Sequence, residues 1–310
     1  MVCGVQWLHR FPGCLHYIAG VEILNINFAS LVNTTVVTVA ASLALTGPGE
    51  ALAEESDSWR DDPYGKRFVL GVGLYAPRLD TQVRRDSSTG ILGTLIDFES
   101  TLGMDDSDRL PLLLGYYRLA KKHRITFEYF RLDRRGTSTS GDAIRFGDVT
   151  FPGNLPLASY FNVDVYSFGY SYSIIHDEKK ELAVGIGVQF QDIETGIAGT
   201  VGPGLIAADS DVFAPLPTFS GSFDYAISDK WVFTSLIGVF GIEFDLGDES
   251  ELAGEILQIN AGVVYKAFEN VGFALNYNYF RVDVDVRDPD WMGLLKYEYR
   301  GPVLSASIYF

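Results

Sequence analysis

The sequence closes on 303-VLSASIYF-310, with no polar residue after the final aromatic ring. Leu304, Ala306, Ile308 and Phe310 occupy one set of alternate positions, and Val303, Ser305, Ser307 and Tyr309 the other. A period of two belongs to a β-strand, whose successive side chains point to opposite faces. Soluble chains usually finish in a frayed, solvated segment. Here a strand runs to its last residue and ends on a bulky apolar side chain, which suits a strand that must pair along its whole length and shows one face to something other than water.

The same alternation recurs upstream. In 68-FVLGVGLYA-76 the residues Phe68, Leu70, Val72 and Leu74 alternate with Val69, Gly71, Gly73 and Tyr75. In 166-YSFGYSYSI-174 aromatic residues alternate with Ser and Gly. Stretches beginning at Leu182, Phe219, Leu257 and Val271 repeat the division between a greasy face and a small or polar one. With strands near Leu110–Leu119, Arg124–Arg135, Trp231–Phe244 and the C-terminus, the count is about ten.

Connections decide where the greasy face goes. Tight ones at Ala120–His123, His176–Lys180, Ser228–Lys230 and Ala267–Asn270 take turns with longer ones at Arg78–Arg109, Gly136–Ala158, Ile197–Val212, Asp245–Leu252 and Arg287–Lys296. A membrane meander with short periplasmic turns and longer external connections produces that rhythm, and strands of about nine to eleven residues are long enough to span. In lipid every backbone N–H and C=O must be paired, which a closed sheet achieves without an edge. The expected fold is therefore all-β, a transmembrane up-and-down antiparallel β-barrel of about ten strands, with eight or twelve as alternatives.

The closing strand, with apolar residues at alternate positions before a terminal Phe, resembles the C-terminal signature of Gram-negative outer-membrane barrels. That resemblance implies residence in the outer membrane. It also implies that Phe310, Ile308, Ala306 and Leu304 form the mark read by the barrel assembly machinery, although Ile308 stands where an aromatic residue is common. The segments 95-LIDFESTLGMDDSD-108, 121-KKHRITFEYFRLDRRG-136 and 146-FGDVTFPG-153 are similar to stretches of uncharacterised small outer-membrane barrels and bring no activity with them.

The front of the chain differs from the rest. Leu31–Leu45 is apolar and small, a Gly-Pro-Gly break follows, and Ala51-Leu52-Ala53 fits a signal-peptidase site before the charged run that starts at Glu54. Residues 1–53 are expected to be a removed presequence with cleavage marked by Ala51 and Ala53, 54–66 a periplasmic segment, and 67–310 the barrel. Peptides from 20–53 should then be missing when protein isolated from outer membranes is analysed by mass spectrometry. Both cysteines, Cys3 and Cys14, precede the cut, so neither a disulfide framework nor a thiolate metal site is expected.

Net charge is −16. That excludes nucleic acid, whose phosphates need clustered Lys and Arg. Partners are instead expected to be the bilayer, lipopolysaccharide and the assembly machinery. Beyond the cut, His123 and His176 are the remaining histidines, each in a short turn without Ser or Asp in triad spacing. They read as solvated turn residues, so no catalytic site and no cofactor are expected. Oxygen-rich connections can hold divalent cations, which makes Asp105, Asp106, Asp108, Asp283 and Asp285 metal candidates against a plainer reading as a hydrated rim. Glu128, Asp224 and Lys266 are expected to point inwards among Ser, Gly, Asn and Gln. The function these features suggest is a structural or surface-interaction barrel with long acidic external connections and a narrow lumen. The alternative is a small, cation-leaning solute channel, and an outer-membrane enzyme ranks third.

Overall fold

The computed structural model describes residues 66–245, 251–288 and 291–310. The expected cleavage residues Ala51 and Ala53 lie outside these residues. The chain first forms β1 (Phe68–Tyr75), β2 (Arg78–Arg85), β3 (Ile96–Asp97), β4 (Leu110–Ala120) and β5 (His123–Thr139). A small hairpin follows, β6 (Ile144–Phe146) and β7 (Val149–Phe151). Long strands then complete the sheet: β8 (Pro156–His176), β9 (Lys180–Val201), β10 (Gly204–Ala226), β11 (Trp231–Asp245), β12 (Glu251–Phe268), β13 (Val271–Asp288) and β14 (Trp291–Tyr309).

All wall pairings are antiparallel between neighbours, and β1 pairs with β14 to close the ring. β1 and β2 lie end to end along β14, the first opposite Val303–Tyr309 and the second opposite Gly293–Arg300. They amount to one wall strand broken at Ala76-Pro77, so the ring has ten strands. Phe310 shares in the closure: its N–H donates to the Phe68 carbonyl at 2.9 Å, and its ring lies 5.7 Å from that of Phe68.

Facing follows the alternation. Val72 (63% exposed), Leu304 (59%) and Leu275 (55%) look outwards, while Val303, Ser305, Ser307 and Tyr309 are buried inside. Exposed Phe, Tyr, Ile and Leu side chains continue this belt around the ring, a surface that water penalises and lipid does not. Rings bound it on both sides. Trp231 and Tyr265 meet near the turns, and Tyr129 stacks on Tyr166 at 4.9 Å on the far side. The Tyr129 and Tyr279 hydroxyls there donate to Asp164 and Glu298, the amphipathic arrangement favoured at a membrane interface.

The belt lies towards the end that carries the turns after β4, β8, β10 and β12. The strands project beyond the belt at the other end, so the first is called periplasmic and the second extracellular, the usual sense of an outer-membrane meander. At the opposite end the structure differs from the expected long loops. β9 runs to Val201 and β10 starts at Gly204; β13 runs to Asp288 and β14 starts at Trp291. The acidic stretches around Asp209–Asp211 and Asp283–Asp285 are the upper parts of tall hairpins rather than loops, whereas Asp105, Asp106 and Asp108 stay in the connection before β4. In these parts polarity reverses: Asp192, Glu194, Asp209 and Asp211 point out, and Ile193 and Ile197 point in.

The interior therefore has two layers. The periplasmic half is polar. The extracellular half is filled by a core that joins inward residues of the wall, such as Leu132, Phe161, Val282 and Tyr299, to Ile96, Phe98, Leu102, Phe146 and Phe151 from the connections. Residues 96–107 close the wall where β4 stops short. β3 pairs with β2, Met104 bridges to Gly136 on β5, and a Cβ at Gly136 would collide with the Leu102 carbonyl.

Candidate functional site

The periplasmic half of the lumen is held by a charge network contributed by five strands. Arg118 near the end of β4 is fully buried, and its two Nη atoms donate to the two carboxylate oxygens of Glu181 on β9 at 2.8 Å each. Its Nη1 also donates to the Lys121 carbonyl at 2.7 Å. Arg124 on β5 lies 3.7 Å from Glu181 and 3.4 Å from Asp224 on β10, and it stacks over the Tyr116 ring at 5.5 Å. Two guanidinium groups thus face two carboxylates, and bidentate geometry offsets the cost of removing them from water.

His176 departs from the solvated turn residue expected of it. Its side chain is buried at the end of β8, with Nδ1 3.2 Å from Glu181. Ser173 donates to the same carboxylate. Ser, His and Glu do meet here, but the hydroxyl bonds to the carboxylate instead of the imidazole, and Arg118 already holds both carboxylate oxygens. In the adjoining turn the backbone N–H groups of Lys179 and Lys180 hold the Asp177 carboxyl below its usual range. His123 bonds through Nδ1 to the Tyr170 hydroxyl at 2.7 Å.

Above this network lies a chamber of about 400 Å³. Glu128, Gln189, Gln258, Asn260, Asn276 and Asn278 line it, and Lys266, Asp224 and Tyr309 carry its lining to the periplasmic end. The three charged residues expected to face inwards do so. Asn278 donates to the Tyr75 hydroxyl at 3.3 Å. The chamber's roof is the apolar core.

The proposed metal residues are spread over the surface. Asp105 and Asp106 are exposed and use their carbonyls to accept from Arg134 and Leu79, whereas Asp108 accepts from the N–H of Arg109. Asp283 sits between Arg281 at 3.4 Å and Lys296 at 2.9 Å on the outer face of β13 and β14, with Asp285 two residues further along. Asp80, Asp97 and Glu99 bring one carboxylate oxygen each within 4.8 Å of one another. Sequence spacing did not single them out, because β2–β3 pairing makes the approach. Glu99 there is bound by Arg134 at 2.5 Å and by the Thr81 N–H at 3.0 Å, so the structure already supplies it with donors.

No protein-family model matches the sequence, and no curated protein matches it. Among solved structures, the chain is similar to the outer membrane protease OmpT from Escherichia coli, with a TM-score of 0.51 at 8% identity over 78% of this chain and 97% of that one. The chain has the fold of an outer-membrane β-barrel. Ail, the attachment invasion locus protein of Yersinia pestis, matches at TM-score 0.32 and 12% identity over 79% of this chain and 99% of that one. The toluene transporter TodX of P. putida matches at TM-score 0.33 and 9% identity over 84% and 94%. Only the first score reaches a shared fold. At 8% identity that likeness assigns this barrel neither proteolysis nor any other activity.

Proposed function

We propose that this outer-membrane barrel is non-conducting and acts through its outer surface, as a structural or surface-interaction protein. The apolar core across the extracellular half of the lumen carries this reading. Ile96, Phe98, Leu132, Phe151 and Phe161 are each no more than 1% exposed, so ions leaving the polar chamber below would have to cross packed hydrocarbon. The charge pattern of the tall hairpins supports a surface role. Arg78 and Arg300 are cross-strand neighbours on β2 and β14, immediately above the lipid-facing Pro302 and Leu304. There they offer lipopolysaccharide phosphates a cationic contact.

Refolded protein in planar bilayers should give no conductance steps. Deleting 96–104, which takes Ile96, Phe98 and Leu102 out of the core, should produce them. Steady conductance by the unaltered protein would overturn the reading in favour of a channel.

A further inference from the structure

The barrel wall is unzipped at one place. β10 pairs with β9 from Gly204 to Tyr225, almost its entire length. Its other edge pairs with β11 only over Phe219–Ala226, opposite Val239–Val232. β11 nevertheless continues to Asp245, paired with β12. Above Phe219 and Val239, two consecutive wall strands therefore share no ladder. The next β10 residues that would face β11 are Pro217 and Pro215, opposite Gly241 and Glu243 in the same register.

The prolines explain the break. In an antiparallel ladder a residue directs its N–H and C=O to one neighbour, and the next residue serves the other. Pro215 and Pro217 sit within the unbroken ladder to β9, opposite Phe190 and Val188, yet have no N–H to give it. Their backbones must therefore point towards β11, where each removes a donor that the ladder would need. The other place where a wall ladder runs out, above the β4–β5 pairing, is filled by residues 96–107. Among the described residues no strand pairs into the β10–β11 seam; just above it Arg85 Nη1 donates to the Asp209 carbonyl at 3.0 Å.

The surroundings of the seam are apolar on both sides of the wall. Phe213, Phe219 and Val239 flank it outside, 43%, 55% and 48% exposed. Leu216 and Phe240 flank it inside and pack on the extracellular core. Asp209 and Asp211 stand just above it on the outer face of β10, where headgroups begin. A backbone N–H at Gly241 without a strand partner is costly in hydrocarbon, but it can be met by water or by the ester oxygen of a lipid.

We propose that this seam is a lateral cleft that admits an acyl chain of an outer-leaflet lipid between β10 and β11, with its ester end at Gly241 and its tail against Leu216 and Phe240. The proposal rests on placement of the barrel in a membrane, and the test separates the two.

Tryptophan reporters would be placed in protein whose Trp7, Trp59, Trp231 and Trp291 are all replaced by Phe, then reconstituted into vesicles of phosphatidylcholine brominated on the acyl chain near the glycerol. Val239→Trp faces lipid and should be quenched. Leu236→Trp faces the lumen below the seam and should not be. Phe240→Trp faces the lumen at the seam and should lose fluorescence to an extent comparable with Val239→Trp. Leu216→Trp, on the opposite flank, serves as a second reporter if Phe240→Trp does not fold. Pro215→Val with Pro217→Thr restores both donors, and should bring the seam reporter down to the Leu236→Trp level. If Val239→Trp is quenched while both seam reporters behave like Leu236→Trp, the cleft is closed and the proposal falls. If Val239→Trp itself escapes quenching, the membrane placement falls with it.

Discussion

Replacing Arg118 with Met should destabilise the refolded barrel by about 3–5 kcal/mol in a urea titration, the usual consequence of leaving one partner of a buried ion pair alone. Arg118 is 0% exposed and donates through both Nη atoms to Glu181, while Arg124 is more distant and shared with Asp224. Arg124, Ser173 and His176 would keep some hold on Glu181, which favours the lower part of that range. The companion measurement is Arg118→Met combined with Glu181→Gln. Removing both charges should recover much of the loss, since the penalty belongs to the orphaned carboxylate rather than to the lost contact. A single variant within about 1 kcal/mol of the parent would rank the pair with exposed salt bridges, and the network would then not pin the periplasmic end.

How much of this was legible in the sequence differs between the two halves of the barrel. Within the lipid belt the apolar face points outwards, and stretches such as 166-YSFGYSYSI-174 display it openly. Above the belt the apolar face turns inwards, and a reading tuned to greasy outer faces loses the strand. The switch can be seen in 296-KYEYRGPVLSASIYF-310. Lys296, Glu298 and Arg300 share their face with Leu304 and Ile308, while Tyr297 and Tyr299 share theirs with Ser305 and Ser307. The first face is charged above and greasy below, and the second is aromatic above and small below. Applied to 205-LIAADSDVF-213, the reversed rule makes a strand of what sequence reading left as a loop. The Arg118–Glu181–Asp224 network was beyond such reading, because its members are brought together only by ring order across five strands. Pro215 and Pro217 were legible as edge-strand signals, but a barrel assumed to be closed has no edge at which to look for them.

The inside and outside assignment can be tested at two adjacent residues, because Leu275 and Asn276 point to opposite faces of one strand. Leu275 is 55% exposed, and its cross-strand neighbours on the same outer face are Val263 and Leu304. An Arg there meets hydrocarbon and apolar side chains, with no carboxylate on either neighbouring residue, so Leu275→Arg should cost about 2–4 kcal/mol, the range for a basic residue near the bilayer midplane. Asn276 lines the polar chamber and leaves its Oδ1 without a protein partner. Asn276→Ala should therefore lose little, well under about 1 kcal/mol, since removing a polar group that bonds to no protein atom creates no orphan. Ile186→Arg is the less severe version of the first test: Tyr170 and Phe219 lie on either side of Ile186, and their rings can take up part of the guanidinium by cation–π contact. The order Leu275→Arg, then Ile186→Arg, then Asn276→Ala is what a lipid-facing outer belt around a wet lumen requires. A soluble barrel with its greasy face inwards would give the same order for the first two, but its Leu275→Arg penalty would persist when detergent is exchanged for an amphipathic polymer that leaves the belt loosely covered. In a membrane barrel the penalty should shrink in that exchange, because the guanidinium regains water.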